Sequence, residues 1–165
     1  MIFTNGRLAS SRYIQIERSK LSVFMYYNGA YSSDRLRQSD IALSSNQWYH
    51  IVCTYDGGSD VAGIKIYVDG AEVSAYESSP DTTSALNAAG STTRVGKLDR
   101  SGDEAFFNGK LSNLQFWDTV WSADDVKYAY ENPEALITSN ASVSGSQTTS
   151  NLKLWYPMND TGVRS

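Results

Sequence analysis

The sequence is poor in several things, and each shortage closes off a class of protein. It has one cysteine, Cys53, so no disulfide can form within the chain and packing must hold the fold. It has one histidine, His50, set between Tyr49 and Ile51 in an apolar run, which gives no accessible Ser/His/Asp arrangement. Basic residues are few: 14 Lys and Arg stand against 18 Asp and Glu, a net charge of −4. A nucleic-acid binder needs a basic patch to neutralise phosphates, so that class is excluded. No apolar run approaches the length that spans a bilayer, and Met1-Ile-Phe-Thr-Asn-Gly6 lacks the basic and apolar regions of a signal peptide.

Aromatics are abundant by contrast, with 11 Tyr and 4 Trp in 165 residues. Together with Ser, Thr, Gly and Asn they are what β-rich binding surfaces use: flat amphipathic rings and adaptable hydrogen bonders. The plainer reading is that aromatics are good strand formers. The length suits one domain, 1–165.

The chain is organised around Trp48-Tyr-His-Ile-Val-Cys-Thr-Tyr-Asp56, continued by Ile64-Lys-Ile-Tyr-Val-Asp-Gly70. Trp48, His50, Val52 and Thr54 alternate with Tyr49, Ile51, Cys53 and Tyr55, as in a strand packed on both faces. Asp56-Gly57-Gly58 breaks it, and Asp69-Gly70 marks a tight hairpin turn, so two antiparallel strands are expected at the centre of a sheet.

Arg12–Glu17 and Lys20–Tyr27 read as a hairpin, and Arg35–Leu43, with charges at Arg35, Arg37 and Asp40, as a weaker strand at an edge or with a solvated face. Ser74–Gly90 reads as a polar surface crossing. Thr92–Leu98, Gly109–Asp118 and Leu152–Pro157 read as further strands. One helix is expected near Ser122–Tyr130: Ser122 and Asp125 have capping-box spacing, Val126 and Tyr130 share a face, and Pro133 follows the end. About ten short strands and one helix point to an all-β chain, a two-sheet antiparallel β-sandwich or jelly roll.

The blocks Asn46–Gly57, Ile64–Val73, Arg94–Lys97, Phe107–Asp118 and Ser122–Val126 resemble, in order, laminin G-like domains of the concanavalin A-like lectin/glucanase superfamily. The later blocks are also similar to pentraxins, down to Trp117-Asp118 and the closing Asn151-Leu-Lys-Leu-Trp155. The resemblance implies a jelly roll lacking the family's first strands, with other subunits or the rest of a longer polypeptide covering the gap. It also implies a structural role for His50.

Superfamily enzymes use paired carboxylates about 5–10 Å apart. A strand bearing Glu-x-Asp-x-x-Glu is absent, and Glu17, Glu72, Glu77, Glu104 and Glu131 are scattered, so no catalytic residue is assigned. The first site candidate is Asp99-Arg-Ser-Gly-Asp-Glu104. Asp99, Asp103 and Glu104 offer three carboxylates around Gly102, the oxygen-rich loop that calcium prefers, so calcium is the expected cofactor. In the pentraxin calcium loop only Asp103 and Glu104 find counterparts. The competing reading is a solvated acidic loop. The second candidate is an aromatic loop with amide and carboxylate groups, Tyr26, Tyr27, Asn28, Tyr31 and Asp34, the pattern that stacks on sugars; its competitor is internal packing.

The functional expectation is a non-catalytic recognition module, binding glycan or a protein surface in adhesion, assisted by calcium. Its expected setting is extracellular, on a cell surface or on a virion, with no nucleic acid and no membrane insertion. The alternatives are an interaction domain of a larger assembly, such as a bacteriophage fibre or decoration protein, and a glycoside hydrolase.

Overall fold

The computed structural model describes residues 2–5, 12–17, 19–25, 35–58, 60–78, 93–99, 104–139 and 147–158. Thirteen strands and one α-helix lie among them. By compactness the chain divides into two units, 1–108 and 109–165.

In the first unit six strands form one antiparallel sheet: β1 (Phe3–Asn5), β2 (Arg12–Glu17), β3 (Lys20–Met25), β4 (Arg35–Ala42), β8 (Ala75–Ser78) and β9 (Thr93–Val95), in the order β8-β4-β3-β2-β1-β9. A second sheet holds β5 (Ile51–Tyr55), β6 (Ile64–Val68) and β7 (Ala71–Glu72). A hairpin joins β10 (Lys97–Asp99) to β11 (Glu104–Phe106). Alternation then decides the core. Leu21 and Val23 of β3 bury together with Ile64, Ile66 and Val68 of β6, and with Leu43. Ile14, Ile51, Cys53 and Tyr55 pack against that cluster, so the two large sheets lie face to face as a β-sandwich around one aliphatic layer.

Several expectations need correction. β4 is not an edge strand, because it pairs with β3 on one side and β8 on the other. Interior position is set by pairing, and the charged Asp40 instead faces solvent, while the strand buries the small polar Ser39 at a register irregularity between Lys20 and Ser22. There the Ser39 hydroxyl accepts the Leu21 N–H at 3.1 Å and donates to the Ile41 carbonyl at 3.0 Å, pairing groups that the interrupted ladder leaves over. The Ser74–Gly90 crossing contains strand β8, which its polar composition hid. The strand expected over Thr92–Leu98 is two, divided at Gly96, whose φ of 75° suits glycine.

The centre of the smaller sheet is β6 rather than β5, since among the described residues β6 is paired on both sides and β5 on one. The Asp69-Gly70 turn is as expected. Both residues have positive φ, 50° and 83°, the requirement of a two-residue primed turn. Packing on both faces does not extend along the whole Trp48–Asp56 stretch. Trp48 precedes β5 and is 63% exposed, while within β5 Ile51, Cys53 and Tyr55 pack against the core and Thr54 is buried. In β6 Ile64, Ile66 and Val68 face the core, and Tyr67 on the opposite face is only 2% exposed.

In the second unit β12 (Leu114–Trp117) pairs antiparallel with β13 (Leu152–Tyr156). Helix α1 (Ala123–Glu131) begins on the expected capping box. The Ser122 hydroxyl accepts the Asp125 N–H at 3.1 Å, and the Asp125 carboxylate accepts the Ser122 N–H at 2.9 Å. Trp121 and Val126, at the two positions of a hydrophobic staple, are both buried. Tyr130 does not share the buried face. It is 45% exposed, and the inward stripe is Asp125, Val126 and Ala129. The side chain at i+3, Ala129, turns inward instead.

Candidate functional site

Most of the residues singled out from sequence lie outside the described part of the structure. That holds for Tyr26, Tyr27, Asn28, Tyr31 and Asp34, and for Asp103. Asp99 ends β10 and Glu104 begins β11, and the two are register partners across that hairpin. Among the described residues no group of three or more His, Cys, Asp and Glu side chains could hold a metal ion.

The Trp48–Asp56 stretch resolves into scaffold. The His50 N–H donates to the Asp69 carboxylate at 2.8 Å, and the Asp69 N–H returns to the His50 carbonyl at 2.8 Å, tying the strand to the hairpin turn. Burial lowers the pKa of His50, with nearby Asp69 opposing the shift. Cys53 packs against the core, and burial pushes its thiol up to about 12. Burial thus disfavours the charged form of each.

The loop after β5 is closed by its own carboxylates. Asp56 Oδ1 accepts the Gly58 N–H at 2.7 Å, and Asp60 Oδ1 accepts the Ala62 N–H at 2.9 Å. Gly63 approaches so closely that a Cβ there would lie 2.2 Å from Asp56 Oδ1. These carboxylates are used in shaping the turn.

A different surface emerges on β12–β13. Gln115 and Trp155 are cross-strand partners. Asn113 stands just before β12 with a positive φ of 51°, and a register irregularity separates Phe116 from Trp117, so side-chain hydrogen bonds are what join Asn113, Gln115 and Trp117 into one row. Trp117 Nε1 donates to Gln115 Oε1 at 3.0 Å; Gln115 Nε2 donates to Asn113 Oδ1 at 3.0 Å; Trp155 Nε1 donates to the same Asn113 Oδ1 at 2.8 Å. Asn113 Nδ2 closes the chain on the Pro133 carbonyl at 3.2 Å. An indole N–H can only donate, so the two tryptophans dictate which end of each amide faces which way. Trp155 is nonetheless 45% exposed. With its N–H engaged, what it offers to solvent is mainly ring carbon.

Flanking this row, Lys153 Nζ meets Asp118 Oδ2 at 2.8 Å and the Ser150 carbonyl at 2.7 Å, while Asn151 Nδ2 donates to Asp118 Oδ1 at 3.0 Å. The Lys153 and Asn151 hydrogen bonds hold the Asp118 carboxyl below its ordinary range. On its other side Trp117 meets Trp121 edge to face, with centroids 5.4 Å apart. From sequence, Gly109–Asp118 and Leu152–Pro157 are expected only as strands. The signal for the site was there in the period-two spacing of Asn113, Gln115 and Trp117, but nothing in the sequence aligned Trp155 with Gln115.

A family model of the concanavalin A-like lectin/glucanases superfamily, of the laminin G type, matches residues 1–127. The chain belongs to this superfamily. The laminin G-like fold accounts for the face-to-face sheets of the first unit and agrees with the resemblance of the Asn46–Val126 blocks. The superfamily's description names both lectins and glucanases, so membership leaves binding and hydrolysis both within its range. Nothing among curated proteins or solved structures matches the chain. Among the described residues, no helix of this laminin G-like chain is long and apolar enough to cross a membrane.

Proposed function

We propose that this chain is a non-catalytic recognition module that binds glycan or a protein surface. The observation that carries the reading is the exposed Trp155 ring, held by a hydrogen-bonded amide row instead of being left free to rotate. A fixed aromatic face costs little ordering entropy on binding, which is how recognition surfaces obtain affinity. The superfamily, with lectins in its description, is the setting in which such a surface is expected. Hydrolysis is disfavoured because no strand carries a Glu-x-Asp-x-x-Glu pattern, and two of the glutamates, Glu72 and Glu131, sit in solvent-facing ion pairs with Lys65 at 3.2 Å and Lys127 at 3.9 Å.

Calcium assistance belongs to the same proposal, with Asp99, Asp103 and Glu104 as its donors, and so does an extracellular, cell-surface or virion setting. A glycan array and a calcium-titrated melting curve test it. The expected results are at least one glycan hit and a rise in Tm with calcium. No hit and no shift would sink the glycan and calcium readings together.

A second reading, an interaction domain within a larger assembly such as a phage fibre or decoration protein, is favoured by one feature of the first unit. Trp48 and Phe106 are 63% and 65% exposed, large apolar side chains suited to a partner surface. Light scattering tests it: a concentration-dependent oligomer that Trp48→Ser or Phe106→Ser dissociates supports the assembly reading, and a monomer at all concentrations rejects self-assembly.

A further inference from the structure

The residual hydrogen-bonding capacity of the β12–β13 row specifies a ligand class. We infer that Trp155 and Gln115 form a subsite for an uncharged pyranose, with the sugar's C–H face on the indole and a hydroxyl on the Gln115 amide. This deepens the recognition reading above and rests on it.

Two observations on different atoms support the assignment. The first is the state of the amides. Asn113 Oδ1 receives two N–H groups and its Nδ2 donates to Pro133, so Asn113 is occupied. Gln115 makes one bond from each end, giving one N–H to Asn113 and accepting one from Trp117. One N–H and one lone pair therefore remain on a side chain whose orientation the indoles have fixed. A sugar hydroxyl both donates and accepts, so it uses both. A carboxylate or sulfate only accepts, and would meet the carbonyl end unfavourably. An aliphatic partner would leave both unpaired on a half-buried group, which costs free energy.

The second is charge. Lys153 is the cation nearest along β13, two residues from Trp155 and at the register irregularity of the ladder. It is already held by Asp118 and by the Ser150 carbonyl, and both Asp118 oxygens are engaged. The row therefore presents a ring, a donor and an acceptor without a free charge, which matches a neutral sugar better than a uronate, a sialylated or a sulfated one.

Affinity electrophoresis of the full chain tests this in gels containing hydroxyethylcellulose, xylan or galactomannan, with polygalacturonate and heparin as acidic counterparts. Retardation is expected in at least one neutral gel. It should be little changed by about 0.5 M NaCl, because no charged pair mediates it. Trp155→Ala should weaken it by about tenfold or more, Trp155→Phe should keep most of it, and Gln115→Leu should lose several-fold. Melting curves and near-ultraviolet circular dichroism check each fold, and Trp155→Phe with Gln115→Leu carry the comparison if Trp155→Ala unfolds. Neutral-glycan binding that survives both Trp155→Ala and Gln115→Leu overturns the subsite and leaves the recognition reading standing. Binding confined to acidic gels and abolished by salt overturns the neutral assignment alone. No retardation in any gel, with no hit on the array, overturns the subsite together with the glycan reading.

Discussion

In residues 1–108 the strands are held by a layer of aliphatic side chains, with Leu21, Val23, Ile64, Ile66 and Val68 at its centre. In residues 109–165 a two-stranded ladder and one helix are fastened by side-chain hydrogen bonds: the Trp117–Gln115–Asn113–Trp155 row and the Ser122–Asp125 box. The first arrangement is non-directional and tolerant of outline. The second fixes individual rings and amides in one orientation. A surface that must present a ring at a set angle is better built the second way, which is why the candidate site is found there and not on the sandwich core.

The sharpest way to break that contrast is to cut each region where it is said to be strongest. Ile66→Ala removes a fully buried side chain from the aliphatic layer. Large-to-small core changes of this kind cost about 2–5 kcal/mol, so urea denaturation should show the largest loss of any substitution here. Gln115→Leu should cost about 1 kcal/mol, the net worth of ordinary hydrogen bonds, yet act on binding far more than Ile66→Ala acts on it. Equal stability losses would erase the distinction.

Next in size is Gly63→Ala. The new Cβ would push the exposed Asp56 carboxylate aside, so the expected cost is about 1 kcal/mol, that of its lost bond to the Gly58 N–H. Asp56→Ala alone should cost about 1 kcal/mol through its lost bond to the Gly58 N–H. The double substitution should fall well short of the sum, because the clash needs both side chains. Additivity in thermal unfolding would show that the loop yields at no cost.

The sequence was legible wherever a pattern is local. The Asp69-Gly70 turn, the Ser122–Asp125 box and the alternation of Ile64, Ile66 and Val68 each depend on residues a few positions apart, and each is found as expected. Pairing is not local. The charges of Arg35–Ala42 left an edge open beside a solvated face because they say nothing about the strand that arrives about forty residues later to cover it. The candidate site escaped for the same reason. Gln115 and Trp155 become partners only when β13 adds to β12, and the exposed indole acquires its meaning from that register.

Ser122→Ala is a cut of similar size, aimed at the second region's dependence on directed bonds. It removes the cap acceptor for the Asp125 N–H and one donor to a carboxylate that is nearly buried. A loss of about 1–2 kcal/mol is expected, with Ser122→Thr recovering most of it. A loss below a few tenths of a kcal/mol would mean that Trp121 and Val126 fasten the helix start by packing, and the two regions would then differ less than their hydrogen bonds suggest.

The smallest effect is a pH dependence in the first unit, where burial acts on titratable groups in place of directed bonds. His50 has its pKa lowered below the ordinary 6.5, so at low pH the unfolded chain binds a proton that the folded one resists. The stability that His50 contributes is present above 6.5 and is lost as pH falls through the folded value; it should appear as a shallow decline that His50→Gln flattens. Cys53 runs the other way. Its thiol is raised from 9.0 to about 12, so its contribution is full below 9.0 and disappears as pH rises towards 12. Thiol labelling reads it directly: at about pH 8 the folded protein should react far more slowly than the urea-unfolded chain, because the reactive species is the thiolate. Labelling at equal rates would mean that Cys53 is not held against the aliphatic layer, and the core on which the comparison rests would have to be redrawn.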